Sequence, residues 1–157
     1  MKRGYLNRVS KPKKYTKLKW QPRKKTCPRS DIWSLDKCDT EYSRYVREKA
    51  NWKCEKCGVK DIPPTKFIQC SHYIGRAEKA TRYDEDNTDV LCDPCHKFFE
   101  GCKNGEYKTW KINKLGKEKH DCLLQKANKG MSERDSIIGC MKIFGKEPKR
   151  QIIKIYD

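Results

Sequence analysis

Two Cys-x-x-Cys pairs, Cys54-Glu-Lys-Cys57 and Cys92-Asp-Pro-Cys95, are separated by 34 residues and frame one histidine and one asparagine, His72 and Asn87; His96 follows the second pair directly. Four thiolates in two tight pairs suit one tetrahedral Zn2+, because each pair forms a knuckle and the fold can bring the second beside the first. Gly58 fits the first knuckle, where a residue free to take positive φ lets backbone amides face the sulfurs. The separation is long for a zinc ribbon, and the insertion responsible is the stretch that carries His72 and Asn87. Cys92-Asp-Pro-Cys95-His96 also matches the C-x-x-C-H of haem attachment, but that chemistry belongs to exported proteins and leaves the first pair unexplained.

The surrounding pattern predicts the elements that must hold these residues. Asp39 or Thr40 can cap a helix over about 40–51, with Tyr42, Tyr45, Val46 and Ala50 at helical spacing, which feeds the first knuckle. Pro63-Pro64 breaks the chain, and residues 66–70 read as a short strand with His72 at or just past its end. Gly75 to Asp86 reads as a loop and Val90-Leu91 as a second strand. Pro94 suits the first turn of a helix running to Gly101. A helix through Tyr107, Trp110, Lys111 and Leu115 ends at Gly116, another covers 117–128, and Ser132-Glu-Arg-Asp135 opens a last one like a capping box. His120 reads as a packing or surface histidine. Cys27, Cys38, Cys70, Cys102, Cys122 and Cys140 read as spare thiols.

Only 35% of residues are hydrophobic while 38% are charged, so apolar burial leaves room for a bound metal as a source of folding free energy. Met1 to Ser30 hold twelve Lys or Arg and no Asp or Glu, which leaves 26 basic against 21 acidic residues, +5 of the total +17, for Asp31 to Asp157. This arm, with Lys13, Lys14, Arg23, Lys24 and Lys25, is a polycation without helical or strand periodicity, suited to phosphate backbones. No apolar run approaches a transmembrane length of ~18 residues, and the first residues lack a signal peptide's apolar segment. Ten cysteines without an export signal point to a reducing, cytoplasmic setting and to thiols or metal ligands rather than disulfides.

The spacing His72-x14-Asn87-x8-His96 inside a zinc frame resembles the HNH (ββα-metal) nuclease motif. Tyr42-Ser-Arg-Tyr-Val-Arg before the first knuckle, Ser71-His72-Tyr73-Ile-Gly-Arg76, Ala80-Thr81-Arg82-Tyr83-Asp84 and Glu106-Tyr107 narrow this to a resemblance with the phage NinG (Rap) recombination endonucleases, over about residues 38–125. The resemblance implies an endonuclease hydrolysing phosphodiester bonds in branched, Holliday-junction-like DNA, in the host cytoplasm if the chain is phage-encoded. His72 would then be the general base, imidazole being the side chain whose ordinary pKa of ~6.5 lies nearest neutrality. His96 would bind a catalytic Mg2+ or Mn2+ that stabilises the charged phosphate, and Asn87 would hold the loop that aims His72. Cys54, Cys57, Cys92 and Cys95 would carry the structural Zn2+. Arg76 and Arg82 are candidate phosphate contacts or solvated loop charges. Ser71 stands where many such enzymes have an Asp or His as second metal ligand, so either phosphate and water complete the site or Asp86 or Asp93 assists.

The expectation is an α+β protein: a basic flexible arm at 1–30, a zinc-stabilised ββα-metal domain at 31–116 and a helical extension at 117–157. DNA is the expected partner, with no membrane, and a homodimer is a candidate assembly. The rival from another class is a noncatalytic zinc module that binds nucleic acid, a reading that needs no framed histidine.

Overall fold

The computed structural model describes residues 32–63, 65–101 and 105–147. The arm with Lys13, Lys14, Arg23, Lys24 and Lys25 lies outside them, as do Cys27 and Cys102. Among the described residues the chain is α+β, with five α-helices and one two-stranded antiparallel sheet: α1 (Leu35–Lys49), β1 (Ile68–His72), β2 (Thr88–Cys92), α2 (Asp93–Gly101), α3 (Glu106–Leu115), α4 (Lys117–Ala127) and α5 (Glu133–Ile143). A 3-10 turn at Glu85–Asn87 leads into β2. The register pairs Ile68 with Cys92 and His72 with Thr88, so His72 is the last residue of its strand.

The first helix starts earlier than the pattern predicts. Ser34, not Asp39 or Thr40, is its cap, accepting a hydrogen bond from the Lys37 amide. Thr40 bonds back to the Asp36 carbonyl, as an interior helical hydroxyl does, and the Asp39 carboxylate is engaged elsewhere. The added turn is held by packing: Trp33, Cys38 and Tyr42 form one core with Ile137, Cys140 and Met141 of α5. Ser132 caps α5 through the Asp135 amide, as its sequence predicts. Gly116, at φ 84°, separates α3 from α4.

A second core gathers Cys54, Ile68, Val90, Leu91, Cys92 and Phe99, with Tyr107 and Trp110 of α3 against it. Every residue of β2 is buried. Asp89, in the middle of β2, is fully buried and receives two 2.8 Å hydrogen bonds from the equally buried Lys111 ammonium, one from Lys114 at 2.7 Å and one from the Tyr107 hydroxyl at 2.9 Å. Burial pushes the Lys111 ammonium below its ordinary pKa against the opposing pull of Asp89. Removing one partner of such a pair strands a charge in low dielectric. Lys111→Met is therefore expected to cost about 3 kcal/mol of stability, towards the lower end of that effect because Lys114 and Tyr107 remain on Asp89. A urea unfolding midpoint unchanged in Lys111→Met would show that the pair adds nothing.

Candidate metal centre and histidine cavity

The first knuckle is a small hairpin closed by a Lys53–Lys60 bridge, with the Cys54 amide donating to Val59 and the Gly58 amide to the Cys54 carbonyl at 2.9 Å. Gly58 sits at φ 78°, the left-handed conformation its position requires. The second knuckle is the junction of β2 and α2: Cys92 ends the strand and Cys95 lies in the helix's first turn. Glu55 ties the two together, its amide donating to the Val90 carbonyl and its carboxylate accepting from the Val90 amide.

The ligand atoms of Cys54, Cys57, Cys92 and Cys95 all lie within 4.8 Å of one another, with Cys57 and Cys92 Sγ 3.6 Å apart. A tetrahedron with Zn–S bonds of ~2.3 Å has edges of about 3.8 Å, so this group could hold a metal ion such as zinc. Burial acts to raise the Cys54 thiol, but the amides of Cys57, Cys92 and Lys56 outweigh it and bring its pKa down to about 7. Cys95 is raised, first by burial and then by the other three sulfurs. Four thiolates this close repel one another unless a cation sits among them. Among the described residues no other group of three or more His, Cys or carboxylate ligands meets this geometry, and none of the described cysteines is in a disulfide.

His72 and His96 line one cavity of about 380 Å3, together with Asp39, Tyr42, Arg76 and Glu100. The His72 Nε2 lies 3.0 Å from the Arg82 carbonyl. A carbonyl only accepts, so Nε2 carries the proton and Nδ1 keeps a free lone pair. Burial lowers the His72 pKa and the Arg76 cation adds to this, against the opposing carbonyl bond, so the imidazole is neutral at pH 7.

Asn87 is fully buried. Its side chain accepts from the Ile74 amide at 2.7 Å and donates to the Ile74 and Thr81 carbonyls at 2.9 Å, while its carbonyl accepts from the Tyr73 amide. It pins both sides of the 73–81 loop, immediately before the Arg82 carbonyl that orients His72. Its link to the imidazole therefore runs through backbone, with no direct hydrogen bond between the two side chains.

His96 projects from α2 with its Nε2 3.5 Å from Glu100 Oε1, one helical turn on. Ser71 faces the opposite side of β1, 3.2 Å from the Tyr107 hydroxyl. Neither carboxylate named as an assistant lines the cavity: Asp93 bonds Lys97 at 2.7 Å and Gln69 at 3.2 Å, and Asp86 lines a different depression beside Lys49 and Glu85. Glu100 is the carboxylate sequence reasoning missed, although its four-residue step from His96 on a predicted helix was a usable signal.

Arg82 is committed to the fold. Its Nε and Nη2 hold the Asp39 carboxylate at 2.9 and 2.6 Å, and Nη1 caps the Arg76 carbonyl at 3.0 Å. Arg76 touches Asp39 at 3.3 Å but stays 61% exposed, so its guanidinium remains available to a ligand in the cavity. His120 is buried on α4, its Nε2 3.0 Å from the Tyr73 hydroxyl, and serves packing next to the site. Comparison with known proteins finds no matching family model, no matching curated protein and no matching solved structure.

Proposed function

We propose that this chain is a metal-dependent DNA endonuclease of the ββα-metal (HNH) type, built on a structural zinc at Cys54, Cys57, Cys92 and Cys95. The observation that carries the reading is one cavity in which a neutral imidazole, with its Nδ1 lone pair free, shares the walls with His96 and Glu100. The order β1–β2–α2 supports it, as do the four cysteines that could hold a zinc ion, one pair of which lies at the β2–α2 junction directly before His96.

In this reading the chain's own residues do the following. His72 Nδ1 accepts the proton of the attacking water, while the Arg82 carbonyl holds the ring in the tautomer that leaves Nδ1 bare. Asn87 fixes that carbonyl through the loop. Arg76 meets the phosphate from the rim. His96 and Glu100 fit a hard divalent cation that keeps most of its coordination for water and substrate phosphate, which is how Mg2+ is usually bound; Mn2+ is the other candidate. That ion, when bound, supplies charge stabilisation at the phosphate and leaving oxygen. The resemblance to NinG recombination endonucleases extends the substrate to branched DNA, and the basic arm to added affinity.

The test is cleavage of a four-way junction and a linear duplex in Mg2+, in Mn2+ and in chelator. No cutting of either substrate in either metal would overturn the reading. The pH profile gives a sharper result. With its pKa lowered, the His72 base is unprotonated down to a pH below ~6.5. Cleavage is therefore expected to rise with pH through a midpoint below that value and to be flat from pH 7 to 8. A midpoint that moves when Mn2+ replaces Mg2+ would assign the ionisation to metal-bound water instead.

A further inference from the structure

A larger cavity, about 840 Å3, lies between the first knuckle and α3, lined by Lys53, Lys56, Gly58, Trp110, Asn113 and Lys114 among others. It shares no lining residue with the histidine cavity. The β1–β2 sheet separates them: α3 packs on the side of β1 to which Ser71 points, and adjacent strand residues face opposite ways.

Its charges are unequal. The Glu55 carboxylate in the groove is consumed by Lys114 at 2.8 Å and by the Val90 amide at 2.7 Å, and Lys114 is shared with Asp89. Among the described residues no carboxylate pairs with Lys53 or Lys56. The Lys56 ammonium lies over the Phe98 and Phe99 rings, 3.2 and 4.4 Å from their centroids, a contact that steadies it without neutralising it. Trp110 is half-buried, with Phe99 and Tyr107 packed against it and the Lys114 ammonium over its ring at 5.3 Å from the centroid, so its indole is held in place and a stacking base would have to take the position of the Lys114 side chain. Two uncompensated cations beside a fixed aromatic face and the exposed Asn113 amide match an unpaired nucleotide strand, with phosphates on the lysines and a base on the indole. A duplex offers no free base face to the indole.

We propose that this groove is a second, noncatalytic binding site for single-stranded DNA. The choice of DNA over RNA rests on the nuclease reading; the choice of a single strand does not. A chain that grips duplex on one side of its sheet and an unpaired strand on the other favours DNA in which the two meet.

The test uses the full zinc-loaded chain, with a short fluorescein-labelled oligo(dT), an oligo(U) of equal length and a matched duplex, read by anisotropy across a salt series. The Lys53→Gln/Lys56→Gln double variant is expected to bind oligo(dT) about tenfold more weakly. Its slope of log affinity against log salt should be shallower by about 1.4, the equivalent of two single-strand phosphate contacts. Duplex affinity and zinc content should stay at the wild-type level. Trp110→Phe, which keeps an aromatic packed on Phe99, is expected to weaken oligo(dT) with the salt slope unchanged. An unchanged slope and affinity in the double variant, or an equal loss on duplex, overturns the site. Tighter wild-type binding to oligo(U) overturns the assignment to DNA. Because all of these are binding measurements, a failure of the nuclease reading would show separately, as a chain that holds oligo(dT) and cuts nothing.

Discussion

A His72→Ala protein is expected to lose cleavage of junction and plasmid DNA by roughly 10²–10⁴-fold, the range a positioned general base contributes. Zinc content, melting temperature and DNA affinity should change little. The proposed basis is a division of labour on one ring, with Nε2 held on the Arg82 carbonyl and Nδ1 left to accept a proton. Removing the ring leaves that carbonyl beside a cavity open to water, which replaces the lost donor at modest cost. Undiminished cutting by His72→Ala would sink the catalytic assignment. A wild-type chain that binds DNA without cutting it in Mg2+ or Mn2+ would instead favour the noncatalytic zinc module.

The second large effect is expected from the cysteines. Cys57→Ser, or stripping with a strong chelator, should unfold the hairpin region rather than fray one loop, because Cys54 and Cys92 are core residues as well as sulfur donors. Structural zinc supplies on the order of 10 kcal/mol of folding free energy in small domains, comparable with the whole stability of a typical one. Near-UV circular dichroism from Trp52, Tyr107 and Trp110 should collapse on chelation and return with one equivalent of Zn2+. A chain purified without zinc that melts identically in chelator would overturn this. Cys38→Ala gives the contrast: this buried thiol belongs to the other core, and its loss should leave zinc content unchanged.

Local signals carried much of the fold. The knuckles, strand–loop–strand–helix order, helix breaks at Gly116 and Ser132 capping all follow from residues close in sequence. Signals that depend on distant partners did not come through. Asp39 looks like a helix cap until Arg82, 43 residues on, engages its carboxylate. Lys111 fits a helical stripe, but nothing near it predicts full burial, since Asp89 meets it only when α3 packs on β2. Which way Ser71 points was not legible either, because its hydroxyl is drawn to Tyr107, 36 residues on. Glu100 is within reach of helical arithmetic, one turn beyond His96, but it lies outside the stretch framed by the cysteines.

The four-sulfur group also bears on the order of folding. Cys57 and Cys92 lie 35 positions apart, and bringing the ends of such a loop together costs roughly 3 kcal/mol of chain entropy before any strand contact compensates. A metal that clips the two knuckles meets this cost at the outset. The span it closes contains β1, the Asn87-pinned loop and nearly all of β2. Register between Ile68 and Cys92 is then a search within a short tethered ring rather than across an open chain, so zinc present from the start should speed refolding as well as stabilise its end state.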